Sequence, residues 1–188
     1  MILSRVPMKA LKSLQSFRDA KYGLFIHFGL YSLLGGEWQG RVTSGLAEWI
    51  QNDLDIPADE YAQLAASFDP KHFDARVIAK KAKEWSMKYI CFTAKHHDGF
   101  ALFDTQVSDF NSVKGGFCQR DFVAELAGAC SEEGLKLCLY YSQAQDWHHA
   151  GGYRAYHQDE RQNNAKAFAA YFESVCLHQV RELLSHYG

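Results

Sequence analysis

The sequence predicts an α/β fold with a parallel sheet and a site at one end of that sheet. Three short apolar runs, residues 24–29, 88–94 and 135–141, read as strands. Segments with helical spacing separate them, and helical crossovers between short apolar strands imply parallel pairing. The segments that follow the strands are long, polar and aromatic, whereas a return turn such as that at Gly134 is short. That asymmetry puts the chemistry at the carboxyl ends of the strands.

Strand one, residues 24–29, is bounded by Gly23 and Gly29. A Gly-rich stretch over residues 35–45 contains Trp38 and leads to Glu48-Trp49; it is long for a loop, and long loops in compact domains are often functional. Residues 59–68 carry Tyr61, Leu64, Ala65 and Phe68 at helical spacing, with Asp55 and Pro57 as start signals. Residues 74–85 predict a second helix, with Val77, Ile78, Ala82 and Trp85 on one stripe and lysines opposite. Strand two, residues 88–94, runs into Lys95-His96-His97-Asp98-Gly99-Phe100. A polar segment over 105–119 follows, and Asp121 caps a helix whose apolar face is Phe122, Val123, Leu126, Ala127 and Cys130. Gly134 is its stop signal. Strand three, residues 135–141, gives way to a polar, aromatic loop and then to a long helix over about 159–184, whose Phe168, Tyr171 and Phe172 are expected to pack on the sheet. Three such units do not close a (β/α)8 barrel, which takes about 250 residues. The pattern fits a small open sheet or the front part of a barrel.

Composition narrows the function classes. The chain has 188 residues, 47% of them hydrophobic and 14% aromatic, which suits a packed core rather than disorder. A net charge of -2 leaves no footprint for nucleic acid or an anionic membrane. The 5 cysteines include no CxxC pair, arguing against a disulfide framework or zinc knuckle; Cys91 and Cys138, inside apolar runs, are expected as buried free thiols. No apolar run is long enough for a transmembrane helix. Residues 1–21 hold no long apolar stretch, so no secretory signal is read there and the expected location is cytoplasmic; a periplasmic or secreted protein with its signal trimmed would read the same.

Four places set polar side chains beside strand ends: His27, Glu48-Trp49, His96-His97-Asp98, and Tyr140-Tyr141 with Asp146-Trp147. Consecutive strand residues point to opposite faces, so His96 and His97 share one ligand only if a twist or bulge intervenes. Imidazoles, a carboxylate and tryptophans around a mouth suit a sugar, whose hydroxyls need fixed partners and whose C–H faces pack on rings. His-His-Asp also offers metal donors, although no H-x-H or H-E-x-x-H spacing is present.

Several segments resemble the catalytic domain of retaining α-L-fucosidases, glycoside hydrolase family 29. They are KYGLFIHFGLYS (21–32), AEW (47–49), KYICFTAKHHDGFALFDTQVSDFNSV (88–113), RDFVAELAGACSEEGLKLCLYYS (120–142) and DW (146–147), and the likeness runs from about residue 17 to the end. The resemblance implies a (β/α)8-like barrel that releases α-linked L-fucose with retention from fucosylated oligosaccharides or glycoconjugates, without a metal or organic cofactor. It implies that His27, His96 and His97 bind fucose hydroxyls. Glu48 and Trp49 would sit at the pocket rim, with Glu48 a candidate acid/base, and Tyr140 would line the pocket. Asp146 and Trp147 match a loop pair of structural role, and Lys95 and Asp98 would support the histidines. The family's nucleophile is an aspartate just after strand four, in a W-[FN]-D stretch that does not occur here. The expectation is therefore one partial catalytic domain over 1–188, stopping before strand four, that carries the fucose-binding half of the site. Unpaired strand edges would favour self-association or a complementing chain. Two other readings remain: a non-catalytic fucose-binding protein, and a metal-dependent α/β hydrolase using His96 and His97.

Overall fold

A computed structural model describes residues 8–153 and 165–187. Helix α1 (Met8–Ala20) lies in a stretch read above only for a targeting signal; its Phe17 ring packs 5.3 Å from Tyr89. Strand β1 (Leu24–Ile26) follows, then a helical turn α2 (Tyr31–Leu34). Two short strands, β2 (Glu37–Trp38) and β3 (Arg41–Val42), pair antiparallel inside the stretch read as loop. A 3-10 turn (Ala47–Trp49) leads into α3 (Ile50–Asp53), and α4 (Ala58–Ala62) continues as a second 3-10 turn to Ser67. Helix α5 (Ala75–Glu84), strand β4 (Tyr89–Lys95), helix α6 (Phe122–Glu133) and strand β5 (Lys136–Tyr141) complete the sheet and its crossovers. Helix α7 (Ala165–Tyr171), a π-helical turn (Phe172–Cys176) and α8 (Leu177–His186) end the described chain. The expected start of this last helix, at about residue 159, lies outside the described residues.

The main sheet has the order β1-β4-β5 and is parallel throughout, with Leu24 opposite Ile90 and Ile90 opposite Leu137. The fold is therefore mixed α/β, as the alternating pattern predicts. Strand β1 is shorter than expected because Thr93 of the neighbouring strand takes over its end. The Thr93 hydroxyl accepts from Phe28 N (3.0 Å) and lies 3.0 Å from Phe28 O, so the backbone beside His27 is anchored by a side chain instead of the ladder. Ile90, Phe92 and Ala94 in the central strand are wholly buried under α5 and α6. Burying an apolar side chain of the size of Phe92 stabilises by roughly 1.5–3 kcal/mol.

Both crossover helices start where a carboxylate caps them. Asp74 accepts from Arg76 N and Val77 N, and Asp121 accepts from Ala124 N. Gly134 closes α6 at φ +64°, a left-handed position that suits glycine. The buried face of α6 is Phe122, Val123, Leu126, Ala129 and Cys130, with Ala127 only half-buried. The buried stripe of α5 differs from the sequence reading. Ala75, Ala79 and Ala82 are buried, Ala82 as read from sequence, and Ile78 packs against the core from its edge, but Val77 and Trp85 are exposed, because the face that α5 turns to α6 is its alanine face. Cys91 and Cys138 are half-buried rather than buried: they sit opposite each other on β4 and β5, out of phase with the residues that face the helices. An aromatic cluster of Phe28, Phe68, Phe73, Phe92 and Phe122 fills the core below the end of β1, with neighbouring ring centroids 4.9–6.4 Å apart. Among the described residues no helix is long and apolar enough to cross a membrane.

Candidate active site

Chemistry-bearing side chains gather at the carboxyl ends of β1, β4 and β5. The two histidines that follow β4 lie together, with ring centroids 4.1 Å apart. The strand's pairing with β5 shifts register between Thr93 and Lys95, and a turn at 97–98 follows. This irregularity removes the alternation that would have sent His96 and His97 to opposite faces. Their neighbours come from three other segments. His27 is 5.5 Å from His96, and Tyr140 stacks on His96 at 5.7 Å and lies 6.4 Å from both His27 and His97. Trp49 meets His97 edge-on at 4.9 Å. His27, Trp49, His96, His97 and Tyr140, singled out from sequence, thus form one connected group.

Glu48 stands on the 3-10 turn beside Trp49 and is half-buried. Its charge reaches the Tyr31 hydroxyl, which burial, the Asp98 carboxylate and Glu48 together push far above the ordinary tyrosine range, while a hydrogen bond to Thr93 opposes the shift. Tyr31 in turn meets His96 edge-on at 5.4 Å. Glu48 thus neighbours the group through Trp49, the next residue, whose ring meets His97.

His96 and His97 are both held well below the ordinary imidazole range. Burial, reinforced by His97 and His27, pulls His96 down to about 3; burial and His27 pull His97 down to about 4. Neutral rings exchange hydrogen bonds with hydroxyls and do not act as fixed cations. His97 Nδ1 lies 2.7 Å from Ser142 Oγ, and its carbonyl accepts from Trp147 N at 2.7 Å. Among the described residues His96 Nδ1 and Trp147 Nε1 are buried without a hydrogen-bond partner.

Beneath the histidines sits a buried ionic network. Lys95 Nζ donates to Asp146 Oδ2 (2.7 Å) and to Tyr171 Oη (2.9 Å), and Tyr171 Oη donates to Asp146 Oδ2 (3.2 Å). Burial pushes Asp146 upward, but the Lys95 ammonium, its hydrogen bond and the N–H of His149 outweigh that and hold the carboxyl below the usual range. Asp98 shows the opposite balance. Burial raises it to about 7, although Phe100 N and Tyr61 Oη both donate to it. Among the described residues no three His, Cys, Asp or Glu side chains come close enough together to hold a metal ion.

Two members of the site, Tyr31 and Ser142, went unassigned in the sequence reading, and a third, Trp147, was read there only as part of a structural loop pair. Ser142 and Trp147 had a legible signal, since both lie in the segment just past the carboxyl end of β5. Asn111, inside the FNSV segment, is a loop staple and not a pocket residue. Its Oδ1 accepts from Val113 N and Lys114 N while its Nδ2 donates to Thr105 O and Ser108 O. His148 stacks on Phe110 at 3.9 Å, away from the histidine pair.

The alpha-L-fucosidase family model matches residues 5–188. A putative alpha-L-fucosidase of Caenorhabditis elegans is 33% identical over 145 residues, 71% of this chain and 29% of the relative. The tissue alpha-L-fucosidase of Rattus norvegicus is 34% identical over 141 residues, again 71% of this chain and 30% of the relative. The chain thus spans about three-tenths of the length of these curated relatives. Among solved structures, the alpha-L-fucosidase AlfC from Lactobacillus casei in complex with its α-L-fucose product superposes with a TM-score of 0.86 at 41% identity, over 94% of this chain and 58% of that one. A GH29 alpha-L-fucosidase from Bacteroides thetaiotaomicron gives 0.82 at 36% identity, over 93% and 38%. With a family model that covers nearly all its residues and solved enzymes that share its fold, this chain belongs to the alpha-L-fucosidase family.

Proposed function

We propose that these 188 residues form the first three βα units of a (β/α)8 catalytic domain and carry the fucose-binding half of a retaining α-L-fucosidase site. The observation that carries this reading is the meeting of His27, His96, His97 and Tyr140 at the ends of three adjacent parallel strands. The two buried, neutral imidazoles and His27 would exchange hydrogen bonds with fucose hydroxyls, and Trp49 would pack against the apolar part of the sugar. The substrate class is an α-L-fucosyl oligosaccharide or glycoconjugate.

Retention needs two carboxylates about 5–5.5 Å apart, one as nucleophile and one as acid/base. Asp146 is engaged by Lys95 and Tyr171, and Asp98 is sealed between Tyr61 and the Phe100 amide. Glu48 is left as the rim carboxylate and the candidate acid/base. The nucleophile would then be an aspartate outside these residues, a reading supported by the small share of its relatives that the chain spans. Turnover of an aryl α-L-fucoside tests this, measured for the 188-residue chain and for the chain extended to the length of its relatives. Fucose binding by both with turnover by the longer one alone is expected. Turnover by the short chain would mean that Glu48 or another carboxylate within it attacks the sugar, and the division of labour would be wrong.

A further inference from the structure

Ser142 has a single hydroxyl proton and two close polar neighbours. Its Oγ lies 2.6 Å from the carbonyl oxygen of Gln145 and 2.7 Å from Nδ1 of His97. A carbonyl oxygen can only accept, so the contact with Gln145 requires the hydroxyl proton. The second contact then needs a proton from the imidazole. A neutral ring carries one proton, which places it on Nδ1 and leaves Nε2 as a bare acceptor. Among the described residues the hydrogen bond of the His97 ring is the one at Nδ1.

The rest of the surroundings hold this arrangement in place. Ser142 N donates to Lys95 O (3.0 Å) and Trp147 N donates to His97 O (2.7 Å), so both backbones are tied to the same strand end. Trp49 and Trp147 lie 4.9 and 5.3 Å from the His97 ring and restrict its rotation. Ser142 is 3% exposed and His97 7%, so bulk water does not compete for the Nδ1 proton.

We propose that Ser142 is a positioning residue that locks His97 in the Nδ1–H tautomer, so that the site demands a hydroxyl that donates to Nε2. The ligand half of this inference rests on the fucose reading above. It adds a direction to it: His97 accepts from the sugar, so a sugar lacking the facing hydroxyl leaves that acceptor without its donor.

Two measurements on the 188-residue chain test the inference. The first is long-range 15N–1H NMR of the histidine-labelled chain, with His97→Gln to assign the signals. A pyridine-type Nε2 and a pyrrole-type Nδ1 are expected at neutral pH. Ser142→Ala should mix the tautomers, and Ser142→Thr, which keeps the hydroxyl, should restore the wild-type pattern. The second is calorimetric titration with α-L-fucose and its monodeoxy analogues. One analogue should bind about tenfold more weakly than fucose, and Ser142→Ala should shrink that preference. A pyrrole-type Nε2 in the wild type, or tautomer signals and sugar preferences unchanged in Ser142→Ala, overturns the proposal. If no fucose or deoxyfucose binds while Nε2 stays pyridine-type, the fucose reading fails and the tautomer lock stands.

Discussion

Lys95 Nζ and Asp146 Oδ2 lie 2.7 Å apart at sites that are 1% and 5% exposed by side chain, directly behind the paired histidines. Removing one partner leaves a charge stranded in low dielectric. Lys95→Met should therefore cost about 3–5 kcal/mol, read from the urea midpoint, whereas Lys95→Met with Asp146→Leu should recover much of that loss. A single substitution costing under about 1 kcal/mol would mean that the pair does not hold the loop. The pH dependence has a definite sign. The folded Asp146 carboxyl is lowered, so its contribution is present above the unfolded value of about 4 and is lost as pH falls through the folded value.

Asp98 works against Asp146. Its folded value is raised to about 7 from an ordinary carboxylate value, so between about pH 4 and 7 the folded state holds a proton that the unfolded state has released. Stability should fall as pH rises across that window, by up to about 1.4 kcal/mol per pH unit, and level off above it. Asp98→Asn removes the titration, so its stability should be flatter than the wild type's over the same window. Parallel curves for the two proteins in urea melts at several pH values would disprove this role.

Gly99 sits at φ +82°, and a Cβ built there would lie 2.4 Å from Asp146 Oδ1 and 2.9 Å from the His148 Cβ. Backbone conformation and space both exclude a side chain. Gly99→Ala should destabilise by about 2 kcal/mol or more and should also weaken sugar binding, because the displaced Asp146 loop carries Trp147 against His97. Thermal melting and fucose titration of the same variant check both effects.

His27→Ala and His97→Ala each remove one proposed partner of a sugar hydroxyl. A hydrogen bond is worth about 0.5–1.5 kcal/mol net, so fucose affinity should drop roughly three- to tenfold in either variant. In the chain extended to its relatives' length, His97→Ala should lower kcat/KM for an aryl fucoside. Unchanged binding and kinetics would remove these histidines from the site.

The alternation of strands and helices was legible because buried strands and amphipathic helices have different periods, and the caps at Asp121 and Gly134 marked one helix closely. The site's members were legible because ionisable and aromatic residues at strand ends are costly without a purpose. Other features were hidden by tertiary context. The α5 stripe came out partly rotated because hydrophobicity alone ranks Val77 and Trp85 above alanines, whereas the residues that α5 buries are Ala75, Ala79 and Ala82. The end of β1 was overrun because nothing local announces that Thr93, far along the chain, takes the Phe28 amide. Ser142 was passed over because a single hydroxyl gains meaning only once Gln145 O and His97 Nδ1 stand on either side of it.

The register shift between Thr93 and Lys95 divides β4 into two parts with separate duties. Upstream, Ile90, Phe92 and Ala94 answer to the helices that cover them, and their spacing is fixed by the pleat. Downstream, two adjacent residues, His96 and His97, hold their rings 4.1 Å apart at the strand's end. Substitutions at these two positions should alter the proposed sugar contacts while leaving Ile90 and Phe92 in place. The irregularity thus insulates the evolution of ligand choice from the inheritance of the fold.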